Sequence, residues 1–394
     1  MKLFVSVYCL KEIGGISTAA YNLLYEIADK YDVTLCVLSD YIGENFVIPK
    51  SIKLIKGSSK LGMATISRSM LDCQSVSKKS LRNYYRIVRR LQKEKFIYRC
   101  LDSIIIDEEF DAAIAFSDLK FITANGYEYY DYYFVLNRIK AKRKIAWVHN
   151  NPKYLGYKHD DTLKRFERFD GIVNVSFDCK GIFDNIVPEY TFKSFVVYNM
   201  YNIDGIKQKS REYDVQRDNN MLRFVTVARV SNRQKRIDRI VSVCKKLDDD
   251  GYNNFEWIIV GDGPDRLELE ETVKNEHLES LVKFVGLKHN PYPYMLTADA
   301  FVLTSLYEGL PMTVREAQIL DCPTLTTSFG AASEAIDEFK NGEICENSEE
   351  GVYKMIRSIL DNPEKLTGYR DYLIKNSFTN EKSLLQLKNI LTGC

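Results

Sequence analysis

The regular alternation of short β-branched or aromatic runs with helix-length amphipathic segments restricts the fold of this chain more than any other feature. Such alternation is typical of parallel βαβ units, in which a helix crosses back over the sheet after each strand. The pattern occurs in two series along the sequence. We therefore predict an α/β protein with two doubly wound, Rossmann-like domains.

A polar segment separates the two series of predicted strands. The predicted strands are 2–7, 33–39, 111–116, 143–148, 171–176 and 194–198 in the first series, and 222–228, 255–260, 282–285, 299–304, 323–327 and 343–345 in the second. Residues 201–221 between them are rich in charged side chains and lack periodicity, which indicates a linker. The predicted domains are 1–200 and 222–376, followed by a C-terminal helix within 377–394.

Composition excludes several classes of protein. The 394 residues include 55 Lys and Arg against 54 Asp and Glu, so no bulk charge attracts the chain to nucleic acid. The nine cysteines show no Cys-x-x-Cys spacing, which indicates neither a zinc site nor a disulfide framework and favours a reducing cytoplasm. Apolar runs such as 301–306 are far shorter than the roughly 20 residues that cross a bilayer.

The segment after strand 299–304 is suited to an anion. Pro311 fits the first position of a helix, which leaves the backbone amides near 310–313 as donors without helical partners. These amides and the helix dipole suit a diphosphate. Glu308 in the loop, and Glu316 about one turn into the helix, are then placed to address sugar hydroxyls. Either carboxylate alone is more simply explained as an ordinary residue at a helix start.

Two other strand ends carry residues of interest. Arg229 follows strand 222–228 and Lys235 precedes the next helix, so both can reach one anion, although a solvated basic loop is the simpler alternative. Gly261 and Gly263 follow strand 255–260 in a tight turn. That turn alone is weak evidence, and it lacks the Gly-x-Gly-x-x-Gly of a dinucleotide fold.

In this order, the motifs resemble the retaining glycosyltransferases of the GT-B fold, in the large glycosyltransferase family 4-like group that builds bacterial surface glycans. The most specific element is Glu308-Gly-Leu-Pro-x4-Glu316, with seven residues between the glutamates, and Arg229-x5-Lys235 precedes it. In the first half, Gly14-Gly15-Ile16-Ser17 resembles the family's glycine loop at the interdomain cleft, and Trp147-Val148-His149 resembles its strand that ends in histidine.

The resemblance implies a role for each matching residue. It assigns Arg229 and Lys235 to the donor diphosphate, Glu316 to the nucleotide ribose, and Glu308 with the amides of Gly309 and Leu310 to the donor sugar and phosphates. It places Gly15 beside the donor, His149 near the transferred sugar, Gly261 in the donor site and the backbone from Leu287 to His289 opposite the base. The C-terminal helix is expected to pack on the N-terminal domain.

The implied reaction retains the anomeric configuration and requires no metal or other cofactor. A hexose or N-acetylhexosamine would move from a nucleotide-diphosphate sugar, for which a uridine diphosphate sugar is expected, to a glycan or polyisoprenoid-linked acceptor in capsule or O-antigen synthesis. Arg229, Lys235 and the helix N-terminus would offset the charge on the departing diphosphate. The Asp248-Asp249-Asp250 run contains an Asp-x-Asp, but its place at a polar helix end indicates a solvated terminus.

Residues 78–99 predict a helix with a strongly cationic side. Apolar and aromatic residues, among them Tyr84 and Tyr85, form one side of it. The other side contains five basic residues: Arg82, Arg86, Arg89, Arg90 and Lys93. A solvated face, a nucleic-acid contact and an anionic membrane or acceptor patch are the alternatives. Because the apolar side takes up the tyrosines, nucleic acid is disfavoured, and we expect peripheral association with the inner face of the cell membrane.

Three other functions remain possible from the sequence. A nucleotide-sugar epimerase of the same fold would form product from the donor alone. A non-catalytic GT-B-like scaffold would have no physical need for Arg229, Lys235, Glu308 and Glu316 together. An NAD-dependent dehydrogenase is disfavoured because its fingerprint glycines are missing.

Overall fold

The computed structural model describes residues 1–11, 14–44, 46–66, 76–124, 126–218, 220–337 and 340–393. The chain forms two compact units. The N-terminal domain comprises Met1–Val175, Cys179–Tyr201 and Glu381–Cys394, and the C-terminal domain comprises Ser176–Asp178 and Asn202–Asn380.

The N-terminal domain is an α/β unit around a parallel sheet. Its strands are β1 (Lys2–Val7), β2 (Asp32–Val37), β3 (Lys53–Lys56), β4 (Glu109–Ala115), β5 (Lys120–Thr123), β6 (Gly126–Tyr129), β7 (Lys140–Val148), β8 (Gly171–Asn174) and β9 (Ser194–Val196). Its helices are α1 (Gly15–Ile27), α2 (Ser59–Thr65), α3 (Val76–Gln92), α4 (Glu94–Asp102), α5 (Tyr130–Arg138), α6 (His159–Phe166) and α7 (Phe177–Ile186), with a 3-10 helix at Pro188–Lys193.

The strand order of this sheet, in the described residues, is β3-β2-β1-β4-β7-β8-β9, and every pairing is parallel. Strands β5 and β6 form a separate antiparallel hairpin. Runs such as Leu3, Phe4 and Val5 in β1 are fully buried, as expected when helices cover both faces of a parallel sheet.

The C-terminal domain repeats this plan with a smaller sheet. Its elements are α8 (Ile203–Lys209), β10 (Leu222–Val227), α9 (Ile237–Asp249), β11 (Phe255–Val260), α10 (Arg266–Asn275), β12 (Val282–Gly286), α11 (Tyr292–Leu296), β13 (Ala300–Leu303), α12 (Met312–Ile319), β14 (Thr324–Thr327), α13 (Ala332–Ala335), β15 (Gly342–Cys345), α14 (Glu349–Asp361) and α15 (Glu364–Lys375). The described strands are all parallel, in the order β12-β11-β10-β13-β14-β15.

Helix α8 occupies part of the segment that the sequence predicts as a linker. The side chain of Asn202 accepts a hydrogen bond from the Gly205 amide at 2.9 Å and so caps the helix, while Ile206 is buried. Farther along, Arg217 forms an ion pair with Asp299 at 2.6 Å, which ties the segment to the C-terminal domain. The segment 201–221 therefore contains a helix and a fixed ion pair, although its charged composition predicts a linker.

The last helix, α16 (Glu381–Thr392), packs with the N-terminal domain. The Ile390 side chain of α16 is buried against Gly171 in β8. A Cβ added to Gly171 would lie 3.0 Å from the Ile390 Cδ1 atom. Among the described residues, no helix combines the length and hydrophobicity that a membrane span requires.

Candidate functional site

The loops after β10 and β13 are joined by hydrogen bonds. These two strands are neighbours in the sheet, so the loops at their carboxyl ends meet at one edge. The Leu306 amide donates to the Gln234 carbonyl at 2.7 Å, and the Thr304 hydroxyl donates to the Lys235 carbonyl at 2.9 Å. The backbone around Lys235 is thus fixed beside the loop that contains Glu308.

Lys235 and Glu308 form an ion pair within this edge. The Lys235 Nζ lies 2.5 Å from Glu308 Oε1, and the Ser305 hydroxyl donates to the same oxygen at 2.6 Å. Glu308 is buried, whereas the Lys235 side chain is 18% exposed. Because an ammonium group has three donors, Lys235 can hold Glu308 and still bind an anion.

Helix α12 begins immediately after this pair. Pro311 is the N-cap, with φ −70° and ψ 118°, and not the first helical residue that the sequence predicts. The pyrrolidine ring of Pro311 fixes its φ near −70° whether the residue is the N-cap or the first helical residue. The extended ψ of 118° shows that the helix starts at Met312. The first amides of α12 have no partners within the helix, so its N-terminus is a suitable site for an anion. Gly309 is buried and Leu310 half-buried beside it.

Glu316 is a buried carboxyl group on α12. It is 5% exposed, and the Tyr292 hydroxyl donates to Oε1 at 3.4 Å. Burial raises the pKa of Glu316 to about 7, although the hydrogen bond from Tyr292 opposes the shift. A carboxyl group that gains or loses its proton near neutral pH can bind hydroxyl groups in either form, with a preference that depends on pH.

The basic residues after β10 have different surroundings. Arg229 lies two residues after the end of β10 and is exposed, as is Arg233. Arg236 adopts a left-handed conformation (φ 51°) at the N-cap of α9, and its guanidinium binds the Asp238 carboxylate at 2.8 Å. Arg236 is therefore paired within its own turn.

The glycines of the turn after β11 are required by the approach of two loops. A Cβ on Gly261 (φ +155°) would lie 1.9 Å from the Ala228 carbonyl oxygen, and one on Gly263 would lie 2.1 Å from that of Val230. The Gly261 amide also donates to the Gly286 carbonyl at 3.0 Å. These contacts give the glycines a structural reason that is independent of a ligand. Leu287, after β12, is exposed at the same edge.

Two residues that the sequence did not indicate support the loop of Glu308. The buried Arg239 donates to Asn347 Oδ1 at 2.6 Å, and Asn347 Nδ2 donates to the Leu306 carbonyl at 3.1 Å. Asn347 comes shortly after β15, so a search of every strand end for polar side chains would have found it. Arg239 lies inside a helix, and no pattern distinguishes it there.

In the N-terminal domain, Gly15 and His149 lie at the carboxyl edge of the sheet. Gly14 (φ +147°) precedes α1, and no neighbouring atom lies within 4 Å of a Cβ built on Gly15, so the backbone there is open. The Lys11 amide donates to the Ser17 hydroxyl at 2.9 Å and thereby fixes the start of the helix. The residues 12 and 13 of this loop lie outside the described part of the chain.

His149 follows β7 and is held by hydrogen bonds. Its Nε2 lies 2.6 Å from the Phe116 carbonyl, which can only accept, so Nε2 carries the proton. Burial lowers the pKa of His149, and the negative charge of Asp118 partly opposes that shift. The Asp118 carboxyl group accepts the His149 backbone amide, and burial raises the pKa of Asp118. A neutral imidazole with Nδ1 as its acceptor is the result.

The basic residues of the predicted 78–99 helix do not form one exposed face. The helix breaks at Lys93 (φ 48°) into α3 and α4, because the turn directs Phe96 and Ile97 into the core. Arg82 is buried and donates to the Ile66 carbonyl at 3.2 Å, and Arg89 donates to the Ala64 carbonyl at 3.1 Å. The other three of the five, Arg86, Arg90 and Lys93, are exposed.

Solved structures of similar architecture align with nearly the full length of this chain. Anabaena Alr3699/HepE in complex with UDP and glucose aligns with a TM-score of 0.69 at 14% identity and covers 100% of both chains. The structure of TarM aligns with a TM-score of 0.68 at 15% identity and covers 99% of this chain and 98% of that one. The fold is the GT-B fold of two Rossmann-like domains, as predicted.

Within this fold class, the C-terminal domain is similar to a described family. Residues 208–378 match the family model described as "Glycosyl transferases group 1". An uncharacterized glycosyltransferase of Methanocaldococcus jannaschii is 29% identical over 194 residues, which are 46% of this chain and 47% of that protein. The amylovoran biosynthesis glycosyltransferase AmsD of Erwinia amylovora is 27% identical over 158 residues, 37% and 44% of the two chains. This chain thus spans about half the length of the curated relatives it matches.

Proposed function

We propose that this protein is a retaining glycosyltransferase. It transfers a hexose or N-acetylhexosamine from a nucleotide-diphosphate sugar, with uridine diphosphate as the expected carrier, to a glycan or lipid-linked acceptor in bacterial surface polysaccharide synthesis. The observation that supports this most strongly is the Lys235–Glu308 ion pair beside the N-terminus of α12, within the residues that match the glycosyltransferase family.

The arrangement suits a diphosphate leaving group. As the bond to the sugar breaks, negative charge accumulates on the diphosphate, and fixed positive groups lower the energy of that state. Lys235, Arg229 and the first amides of α12 supply such groups without a metal ion. Glu308 orients Lys235 through the ion pair and also offers a carboxylate oxygen to a sugar hydroxyl.

Glu316 is proposed to bind the nucleotide ribose. It is one of the two glutamates of the Glu-x7-Glu element, and its burial next to Tyr292 provides a dry site in which two hydroxyl donors would compensate a carboxylate. Gly261 and Leu287 would line the nucleotide at neighbouring strand ends. His149 and Gly15 are proposed to contact the donor from the N-terminal domain.

The names of similar proteins support the choice of substrates. HepE was solved with UDP-glucose, and a TarM mutant was solved with UDP. A relative from Campylobacter jejuni, 24% identical over 201 residues, is named as an N-acetylgalactosaminyltransferase that acts on a sugar-linked diphospho-undecaprenol. These names favour a uridine diphosphate donor and a lipid-linked or glycan acceptor, at the cytoplasmic side where nucleotide sugars are available.

A transfer assay tests the proposal. A panel of labelled uridine and guanosine diphosphate sugars is incubated with the protein and with glycan and polyisoprenoid-linked acceptors, in EDTA or in manganese. We expect acceptor-dependent product with retained anomeric configuration, equal in EDTA. Product from the donor alone would favour the epimerase, activity that needs manganese would overturn the metal-free mechanism, and no nucleotide binding would favour a scaffold.

A further inference from the structure

Helix α3 presents its apolar side chains to solvent. Among the side chains of α3 that the structure describes, Tyr85 and Val88 are the apolar ones that pack against the core of the N-terminal domain. Tyr84 is 58% exposed, Ile87 59% and Leu91 77%. Leu81, one turn before Tyr84, is 42% exposed. Spacings of three and four residues place these four side chains along one outer stripe.

Two arginines explain this orientation. Arg82 and Arg89, seven residues apart and therefore on one side of the helix, donate to the carbonyls of Ile66 and Ala64 at the end of α2. These bonds hold Arg82 and Arg89 against the end of α2 and leave the apolar stripe outside. An exposed apolar stripe is costly in water and indicates a partner that covers it.

A cationic groove lies next to the stripe. The groove separates α3 from the β5–β6 hairpin and has a volume of about 830 Å³. Its basic lining residues are Arg86, Arg89, Arg90 and Lys93, and Glu94 is the one acid among the lining residues that the structure describes. Ile122, on the hairpin side of the groove, is 74% exposed.

We propose that the stripe (Leu81, Tyr84, Ile87 and Leu91), together with the groove and Ile122, docks on a bilayer that contains anionic lipids. The guanidinium and ammonium groups would bind lipid phosphates, and the aliphatic and tyrosine side chains would enter the interface. Nucleic acid would satisfy the cations but would leave exposed aliphatic side chains uncovered. A protein partner would need an acidic, apolar counterpart, and the test below includes that outcome.

Sedimentation with liposomes tests this surface without any donor or acceptor, so its result is independent of the proposed enzymatic function. The full chain is mixed with vesicles of phosphatidylcholine alone or with phosphatidylglycerol added. We expect binding to the anionic vesicles only, weakened by salt. The triple variant Arg86→Gln, Arg90→Gln and Lys93→Gln should lower the partition coefficient roughly 100-fold.

Matched variants distinguish a specific surface from bulk charge. Lys50→Gln, Lys140→Gln and Lys388→Gln remove the same charge from exposed positions elsewhere in the N-terminal domain and should change binding less than threefold. The uncharged pair Ile87→Ser and Leu91→Ser should reduce binding about tenfold or more at constant net charge. Equal losses in both triple variants, binding to neutral vesicles alone, or no binding to either kind of vesicle would overturn the proposal. Dimerisation abolished by Ile87→Ser and Leu91→Ser would instead assign the stripe to a second copy of the chain.

Discussion

Lys235 and Glu308 form an ion pair at 2.5 Å between the loops that follow two adjacent strands, β10 and β13. The pair lies beside the first amides of α12 and shares Glu308 with the Ser305 hydroxyl. It therefore holds a cation in place before any ligand arrives. Preorganised charge of this kind is most effective against an anion that forms during a reaction.

Glu308→Gln is expected to separate nucleotide binding from transfer. The substitution removes negative charge next to the proposed diphosphate site, so the affinity for uridine diphosphate should stay equal or increase. The loss of the carboxylate that orients Lys235 should lower the transfer rate at least tenfold. Calorimetry of the nucleotide and the rate with saturating donor measure the two effects.

Lys235→Met is expected to weaken nucleotide binding, in contrast to Glu308→Gln. Removal of the cation should weaken the binding of uridine diphosphate about tenfold to 100-fold, in line with roughly 1.5–3 kcal/mol for a hydrogen bond to a charged group. A Lys235→Met variant that binds the nucleotide as well as the wild type would contradict the assigned role of Lys235.

Nucleotide binding should depend on the protonation of Glu316. Since burial raises its pKa to about 7, the carboxylate that can accept both ribose hydroxyls forms mainly above that pH. We expect affinity for uridine diphosphate to rise about tenfold between pH 6 and pH 8. Glu316→Gln is the control, because the ionisation of the nucleotide phosphates affects both proteins. Identical pH profiles for the two would contradict the prediction.

Gly261→Ala tests the close approach of the loops in the C-terminal domain. A Cβ would lie 1.9 Å from the Ala228 carbonyl, so the backbone must move, and we expect a loss of about 1–3 kcal/mol in the free energy of unfolding. Gly368→Ala is the matched control: no atom lies within 4 Å of its added Cβ, and its place in α15 should make alanine stabilising by about 0.5–1 kcal/mol. Equal effects in denaturant titrations would contradict the steric explanation.

Asp131→Asn should change how stability depends on pH. Asp131 on α5 is fully buried and accepts the Ser117 amide at 3.0 Å, and burial raises its pKa to about 8. A raised pKa stabilises the folded state below the unfolded pKa near 4, and this contribution is lost as pH rises through about 8. The wild type should therefore lose roughly 3 kcal/mol more than the asparagine variant between pH 6 and pH 9.

Chemical denaturation at several pH values measures this difference. Asp161→Asn, at an exposed position of the same domain, serves as the control and should follow the wild type. Parallel profiles for the wild type and Asp131→Asn would show that the aspartate does not retain its proton in the folded protein.

The sequence predicted the buried parallel strands because their apolar runs are continuous. The observed strands Phe255–Val260 and Lys2–Val7 agree with the prediction at both ends. Strand Lys53–Lys56 was missed since lysines stand at both of its ends, as is common for an edge strand. The β5–β6 hairpin was missed because its strands have only four residues each.

The sequence proposed the residue types of the candidate site but not their environment. Lys235, Glu308 and Glu316 were singled out from their positions near strand ends and from the family resemblance, yet burial of Glu316 and the ion pair depend on contacts between segments far apart in sequence. The outward stripe of α3 could not be predicted either. Helical periodicity shows that a face is apolar, but the hydrogen bonds of Arg82 and Arg89 to α2 decide which face is covered.

Calorimetric titration of uridine diphosphate and guanosine diphosphate in EDTA, into the wild type and the variants Arg229→Ala and Glu316→Ala, tests the central claim most directly. The account predicts metal-free binding of uridine diphosphate that both substitutions weaken at least tenfold in a protein that remains folded. Failure of the folded wild type to bind either nucleotide would contradict it.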